Sequence, residues 1–253
     1  MPHPNAATPE EMRALIAGRR TDDPTWFEYS GEVLAPSRIV ELLTGHLTER
    51  RRTEIERVLD SRTLDVGVVV EGMVDLGNVS AIMRSAEAFG FQMVHAIDTS
   101  NAFKRSRRTT RGADKWMDRY RWADSESCLS SLRDDGFHIL LADASQDAVP
   151  LDEADLTGKI AIVFGNERDG VSSVTRSSVD GSIRIPMDGF VESLNVSVAA
   201  SIVLHEVHRQ RVARYGRSGD LQPSDRDRIR AVWYLKSVRE AEAIVRRRVD
   251  GGG

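Results

Sequence analysis

The sequence predicts an α/β domain built on a mostly parallel sheet flanked by helices, and two observations lead to this fold class. Five short apolar runs bounded by Gly, Asp or Pro have the composition of strands: DVGVVVE, FQMVHAID, FHILLAD, KIAIVFG and GSIRIP. Between most of them lie helical stretches, at residues 78–89, at 125–134 and shortly after Gly170. Strands that are apolar throughout and alternate with helices indicate a parallel sheet covered on both faces.

Further helices are predicted on both sides of this domain. Residues 37–62 have the apolar spacing of a helix that Gly45 divides in two, and one C-terminal helix begins near Ser224. A short helix at residues 9–18 is expected within a Pro- and Thr-containing N-terminal extension. We therefore divide the chain into an N-terminal extension with helices (1–62), the α/β domain (63–215) and a C-terminal helical extension (216–253).

Composition excludes several classes of protein. With 253 residues and 40% hydrophobic residues, the chain can bury a sizeable core. No stretch approaches the length of a membrane span, and the N-terminus lacks the pattern of a signal peptide, so we expect a cytoplasmic protein. Cys128 is the only cysteine and the six His lack zinc-binding spacing, so neither a disulfide framework nor a metal site is predicted.

Positive charge is concentrated in two segments although the net charge is −4. Residues 104–121 contain eight basic and two acidic residues, and residues 205–248 contain twelve basic and six acidic ones. Such segments are either solvated surface or contacts for phosphate, because affinity for nucleic acid comes from clustered cations. Two of them around one candidate site favour phosphate. Trp116, within the first segment, either stacks on a base or anchors the loop in the core.

Candidate chemistry follows three of the predicted strands, where ligands bind in α/β sheets. Asn78 and Arg84 follow the first strand, Glu167 lies in NERDGVS, and Ser193 and Asn195 lie in GFVESLNVSVAASIVLHE. Asn78 and Ser193 are also of residue types that cap helices. The dinucleotide fingerprint, the phosphate-binding P-loop and the G-x-S-x-G nucleophile elbow are all absent, which argues against dehydrogenases, kinases and simple hydrolases.

Three stretches carry a family resemblance. NVSAIMRSAEAFG, IVFGNERDGVS and IPMDGFVESLNVSVAASIVLHE closely resemble the three motifs of the SPOUT-superfamily RNA 2′-O-ribose methyltransferases, in particular the TrmH branch that acts on tRNA guanosine. VDLGN departs from the Pro-His-Asn that is common before the first motif's helix in tRNA-modifying members, which weakens the substrate assignment more than the chemistry. The resemblance implies a C-terminal trefoil knot, which periodicity does not predict because true knots are rare.

It also implies the reaction. S-adenosylmethionine is the expected methyl donor. The expected acceptor is the ribose 2′-OH of a guanosine in the D-loop of tRNA. The expected assembly is a homodimer with a composite active site. Arg84 matches the catalytic arginine. As a general base it would have to give up a proton that a guanidinium holds strongly, so we favour stabilisation of the developing oxyanion.

The resemblance assigns the remaining residues to roles. Asn78 and Glu167 would orient Arg84, while Ser193 and Asn195 would shape the pocket. The expected cofactor-binding positions are Ala142, Gly165, Asn166, Ile185, Met187 and Leu194. The expected RNA contacts are Lys104, Arg105, Arg107, Arg108 and Arg111.

Three other functions are alternatives to methylation of tRNA. The same chemistry on ribosomal RNA is the nearest alternative, because the subfamilies share all three motifs. A catalytically silent knot protein that only binds RNA is disfavoured because Asn78, Arg84, Glu167 and Asn195 are all present. A nucleotide-dependent oxidoreductase is excluded by the missing glycine fingerprint.

Overall fold

The computed structural model describes residues 20–73, 75–97 and 112–251, which form two compact units. One unit spans Thr63–Ser218, and the other combines residues 20–62 with residues 219–251. In chain order the strands and helices are β1 (Glu28–Tyr29), β2 (Glu32–Val33), α1 (Pro36–Thr44), α2 (Glu49–Leu59), β3 (Thr63–Glu71), α3 (Leu76–Ala88), β4 (Phe91–Ile97), β5 (Asp118–Trp122), α4 (Ser125–Asp134), β6 (His138–Ala142), β7 (Val149–Pro150), β8 (Ile160–Phe164), α5 (Ser173–Ser178), β9 (Gly181–Arg184), α6 (Val196–Tyr215), α7 (Pro223–Ser237) and α8 (Ala241–Asp250).

The larger unit is a seven-stranded sheet in the order β5-β4-β3-β8-β6-β9-β7, and every neighbouring pair is parallel. This confirms the predicted α/β fold. All carboxyl ends of the strands therefore meet at one edge, where the loops that carry the three motifs lie. The knotted path of the chain stays a prediction of the resemblance.

Both faces of the sheet are buried, which explains the continuous apolar strands. Val68 and Val70 of β3 pack with residues of α3 and α6 in one core cluster, whereas Val69 packs with Leu129 and Leu132 of α4 in another. Successive side chains of a strand point to opposite faces, so a strand covered on both sides needs apolar residues at every position.

Several sequence predictions are confirmed, and the C-terminal one is wrong. The predicted division at Gly45 separates α1 from α2, and α4 occupies the predicted helix at 125–134. The single predicted C-terminal helix is two helices, because Val238 is extended and Glu240 has a left-handed φ of 57° between α7 and α8. The predicted helix at 9–18 lies outside the described residues.

Four strands were not predicted from the sequence. The edge strand β5 has the sequence DRYRW, whose charged residues differ from the apolar runs of the central strands. β1 and β2 form a two-residue antiparallel pair, and β7 is also only two residues long. Strands this short leave no periodic pattern to detect.

The smaller unit joins the two ends of the described chain. Helix α1 packs against α7 and α8, and Glu56 of α2 accepts hydrogen bonds from Arg226 (2.8 Å) and Arg230 (2.6 Å) of α7. The hydrogen bond from Arg230 outweighs partial burial and lowers the pKa of Glu56. The flanks that the sequence treats as two parts are thus one folded unit. No helix within the described ranges has both the length and the apolar character that a membrane span requires.

Candidate functional site

A cavity of about 220 Å³ lies at the carboxyl ends of β6, β8 and β9. Its apolar wall comes from the strand ends and from one side of α6, and consists of Leu141, Phe164, Ile183, Val196, Ala199 and Val203. Polar groups come from the loops that follow the strands and from Arg176 of α5. A largely apolar cavity with a few convergent polar groups is the usual form of a small-molecule site.

The predicted cofactor-binding residues meet in this cavity. All six line it: Ala142, Gly165, Asn166, Ile185, Met187 and Leu194. Glu167 and Ser193, predicted as part of the catalytic group, line it as well. Residues from three separate stretches of the chain therefore surround one space.

Three predicted catalytic side chains form a hydrogen-bonded cluster beside the cavity. The Nδ2 of Asn78 donates to Oε1 of Glu167, and the Nδ2 of Asn195 donates to Oδ1 of Asn78 at 3.2 Å. These residues come from α3, from the loop after β8 and from the start of α6. The cluster joins the three motifs through side chains that are distant in sequence.

The structure argues against the alternative interpretation of Asn78 and Ser193 as helix caps. Asn195, rather than Ser193, caps α6, since its Oδ1 accepts from the backbone N–H of Ser197 at 2.9 Å and of Val198 at 3.3 Å. Asp75, rather than Asn78, caps α3. Because Asn78 lies inside the helix and Ser193 lies before the cap, both side chains are available to the site instead.

The loop after β8 is a closed turn, residues 165–171. Asn166 and Gly170 exchange two backbone hydrogen bonds of 3.0 and 3.1 Å, and the Oδ1 of Asn166 accepts from the N–H of Arg168 and of Asp169. A Cβ on Gly165 would lie 2.4 Å from the carbonyl carbon of Gly170, so this position admits only glycine without movement. The turn holds Glu167 against Asn78.

Arg84 lies elsewhere in the same chain. It follows Asn78 by six residues on α3, which places it on a different side of the helix. It lines a second space, a groove of about 690 Å³ whose described walls include Arg84, Ser85, Glu87, Phe89, Trp116 and Ser201. The Arg84 side chain is exposed and makes no hydrogen bond or ion pair with a residue of the described ranges. Within one chain, Asn78 and Glu167 bind each other and not Arg84.

One ion pair in the cavity was missed by sequence reasoning. Arg176 of α5 donates from Nη1 to Oδ2 of Asp143 at 2.5 Å, and both residues line the cavity. Burial opposes ionisation of Asp143, but the hydrogen bond and charge of Arg176 prevail and lower its pKa. Its position at the end of the apolar run FHILLAD was the signal that could have revealed Asp143.

The predicted RNA contacts lie outside the described residues. They are Lys104, Arg105, Arg107, Arg108 and Arg111. Among the residues that are described, no group of three or more His, Cys, Asp or Glu is placed to hold a metal ion.

A parallel α/β sheet with a cavity at its carboxyl edge, bordered by three polar loops, defines a class of proteins that bind a small molecule there. Residues 65–205 match the SpoU rRNA methylase family, and the chain belongs to this family. It is a methyltransferase family whose members use S-adenosylmethionine.

Individual relatives support the same assignment. The chain is 36% identical over 191 residues to a tRNA (guanosine(18)-2′-O)-methyltransferase of Thermus thermophilus, covering 75% of this chain and 98% of that protein. The crystal structure of the A. aeolicus TrmH/SpoU tRNA modifying enzyme superposes with a TM-score of 0.68 and 31% identity, over 76% of this chain and 98% of that one. An AdoMet-bound rRNA methyltransferase from Sinorhizobium meliloti shares the fold, with a TM-score of 0.51 and 21% identity over 60% of this chain and 59% of that one.

Proposed function

We propose that this protein transfers a methyl group from S-adenosylmethionine to the ribose 2′-oxygen of guanosine 18 in the D-loop of tRNA, and that it does so as a homodimer. The observation that carries the proposal is the meeting of Asn78, Glu167 and Asn195 beside one apolar cavity. The choice of tRNA rests on the Thermus thermophilus relative, almost all of whose length the chain matches.

The cavity fits S-adenosylmethionine in its chemistry. Apolar strand ends and the lining positions Ala142, Gly165 and Leu194 suit an adenosine moiety. The carboxylate of Glu167 suits a ligand that carries positive charge on its sulfur and on its amino group, whereas that of Asp143 is already paired with Arg176. When bound, S-adenosylmethionine supplies a methyl group on a positively charged sulfur, and that methyl group is activated for transfer.

The protein's own contribution is mainly positioning and electrostatic stabilisation. The hydrogen bonds from Asn195 to Asn78 and from Asn78 to Glu167 hold the three motif loops in register. Arg84 places a permanent positive charge where negative charge develops on the ribose oxygen. A guanidinium does not give up its proton readily, so Arg84 serves as the stabilising group and not as the general base, and the 2′-OH proton passes to a nearby phosphate of the substrate.

A second copy of the chain is required to bring Arg84 to the cavity. In one chain Arg84 lines the groove, while the cluster of Asn78, Glu167 and Asn195 lies by the cavity. Two apolar side chains of α6 are exposed near the groove residue Ser201 in sequence: Val198 (48% exposed) and Ile202 (39% exposed). Exposed apolar side chains favour a contact with the second chain at this place. The groove of one protomer would then face the cavity of the other.

Clustered positive charge supports RNA as the macromolecular substrate. Residues 104–121 carry eight basic residues against two acidic ones, and the segment includes the groove residue Trp116. Phosphate contacts from such a segment would supply affinity without regard to sequence. The site itself must then choose the nucleotide.

The test is a methylation assay with separate RNA pools. The protein is incubated with labelled S-adenosylmethionine and either tRNA or fragments of ribosomal RNA, and ribose methylation is mapped by nucleotide. We expect label in tRNA at guanosine 18 and none in tRNA lacking a guanosine there.

Each of two other outcomes would support one of the alternative functions. Label confined to ribosomal RNA would establish the same chemistry on the other substrate. Binding of RNA without any transfer of label would indicate a silent RNA-binding protein.

A further inference from the structure

The groove contains more than Arg84. Glu87 lines it from the same helix, and Trp116 lines it from the short helical turn that precedes β5. The main chain of Trp116 is held in place, because its carbonyl accepts a hydrogen bond from Nε2 of the buried Gln92 at 3.1 Å. A cation, a carboxylate and an aromatic ring thus border one space in the described part of the chain.

Arg84 and Glu87 are suitably spaced to bind two ends of one molecule. They are three residues apart on α3, so their Cβ atoms are separated by about 5–6 Å on one side of the helix. A nucleoside has a comparable arrangement, with a sugar hydroxyl at one end and the Watson–Crick edge of the base at the other. If Arg84 contacts the ribose oxygen, the base lies within reach of Glu87.

We infer that this groove binds the guanine of the substrate nucleoside, with Glu87 as the residue that selects guanine and Trp116 as the ring on which the base rests. The inference rests on the proposed function, which places the reacting ribose at Arg84. It adds a nucleobase-binding site and a specificity-determining residue to that reaction.

A carboxylate matches guanine and rejects adenine. The Watson–Crick edge of guanine presents two adjacent donors, N1–H and the 2-amino group, and a carboxylate has two oxygens that only accept. Adenine presents an acceptor, N1, beside its 6-amino donor, so one carboxylate oxygen would face an acceptor. A buried polar group left unpaired in this way is the strongest basis for rejecting a wrong substrate.

Stacking supplies the remaining affinity. Proteins hold unstacked RNA bases against aromatic side chains, and the contribution does not depend on which base is bound. Trp116 lies half-buried beside the groove, with Nζ of Lys115 4.7 Å from the centre of its ring. The aromatic ring therefore binds the base while Glu87 identifies it.

The experiment compares guanosine with inosine, which lacks only the 2-amino group. Two tRNA substrates are made by ligation, with guanosine or inosine at the methylated position, and kcat/KM is measured for the wild type and for Glu87→Gln. We expect the wild type to prefer guanosine roughly tenfold, because inosine loses one hydrogen bond to a charged acceptor. In Glu87→Gln we expect kcat/KM for guanosine to fall by roughly 5–100-fold, and the preference over inosine to disappear.

Controls separate this inference from the proposed function and from misfolding. Glu153→Gln changes an exposed glutamate of the same unit and should leave both substrates unaffected. The Kd for S-adenosylmethionine and the Tm of Glu87→Gln should equal those of the wild type.

Two negative results distinguish failure of the proposed function from failure of the role given to Glu87. A wild type that methylates no RNA would contradict the proposed function. A wild type that methylates guanosine, with the same guanosine-to-inosine ratio in Glu87→Gln, would overturn the role of Glu87 while leaving the reaction intact.

Discussion

At the scale of single residues, Asn195 links a helix cap to the hydrogen-bonded cluster beside the cavity. Its Oδ1 caps α6 by accepting from Ser197 and Val198, while its Nδ2 donates to Asn78 in the cluster beside the cavity. The two ends of one amide therefore serve two purposes. An aspartate at this position would keep the cap but would have no donor for Asn78.

We therefore predict that Asn195→Asp retains stability and loses activity. Asp and Asn cap helices equally well, so Tm should change little. The lost hydrogen bond and the added negative charge near Glu167 should lower kcat/KM by roughly 10–100-fold, because small displacements of reacting groups have effects of this size. Thermal unfolding and methylation kinetics measure the two effects separately. A large fall in Tm without a matching fall in activity would contradict the division of roles.

At the scale of elements, the turn at residues 165–171 positions one side of the site. It is closed by two backbone hydrogen bonds between Asn166 and Gly170, and it continues directly from the buried strand β8. Its compactness depends on Gly165, whose missing side chain lets the carbonyl of Gly170 approach. Glu167 at the tip is thereby held toward Asn78.

We predict that Gly165→Ala opens this turn. A Cβ would lie 2.4 Å from the carbonyl carbon of Gly170, which is backbone and cannot rotate away. We expect a loss of about 1–3 kcal/mol in the free energy of unfolding, as for other overpacked sites, together with weaker binding of S-adenosylmethionine. Urea unfolding and calorimetry provide the measurements.

Gly158→Ala is the matched control for this prediction. Gly158 lies just before β8, and a Cβ there would have no heavy atom within 4 Å. Its stability and affinity should equal those of the wild type. Equal effects of the two substitutions would show that the close approach at Gly165 is not the cause.

At the scale of the whole molecule, the proposed active site needs two chains. Arg84 and Glu87 belong to the groove, and the cluster of Asn78, Glu167 and Asn195 belongs to the cavity. In a two-fold symmetric dimer each protomer can give its groove to one site and its cavity to the other. A groove defect in one protomer and a cavity defect in its partner then fall in the same site of a mixed dimer, and the other site stays intact.

We predict that Arg84→Ala and Asn195→Asp complement each other. Each variant alone should be nearly inactive, and Arg84→Ala should still bind S-adenosylmethionine. After equimolar subunit exchange, half of the dimers are mixed and each has one intact site, so activity should reach about a quarter of the wild-type value. Sedimentation verifies the dimer and methylation kinetics report the recovery. If the mixture is no more active than the separate variants, the site is contained within one chain.

The sequence by itself determined the local features of this protein. Continuous apolar strands between helices predicted the buried parallel sheet, and the polar residues after three strands predicted Asn78, Glu167 and Asn195 as site residues. The prediction of the sheet is confirmed because the side-chain period of a strand is a local property of the chain, while the roles of the three site residues stay predictions. The sequence did not determine the helix caps, since Asp75 and Asn195 cap the two helices while Asn78 and Ser193, of equally suitable types, lie nearby.

Only the tertiary structure decided what distant segments do together. It joined the N-terminal flank to the C-terminal flank through Glu56, Arg226 and Arg230, and it put Arg84 in the groove while Asn78 bonds to Glu167. Each of these outcomes depends on contacts between residues far apart in sequence. Such contacts are selected by packing and charge in three dimensions, and no local pattern in the chain encodes them.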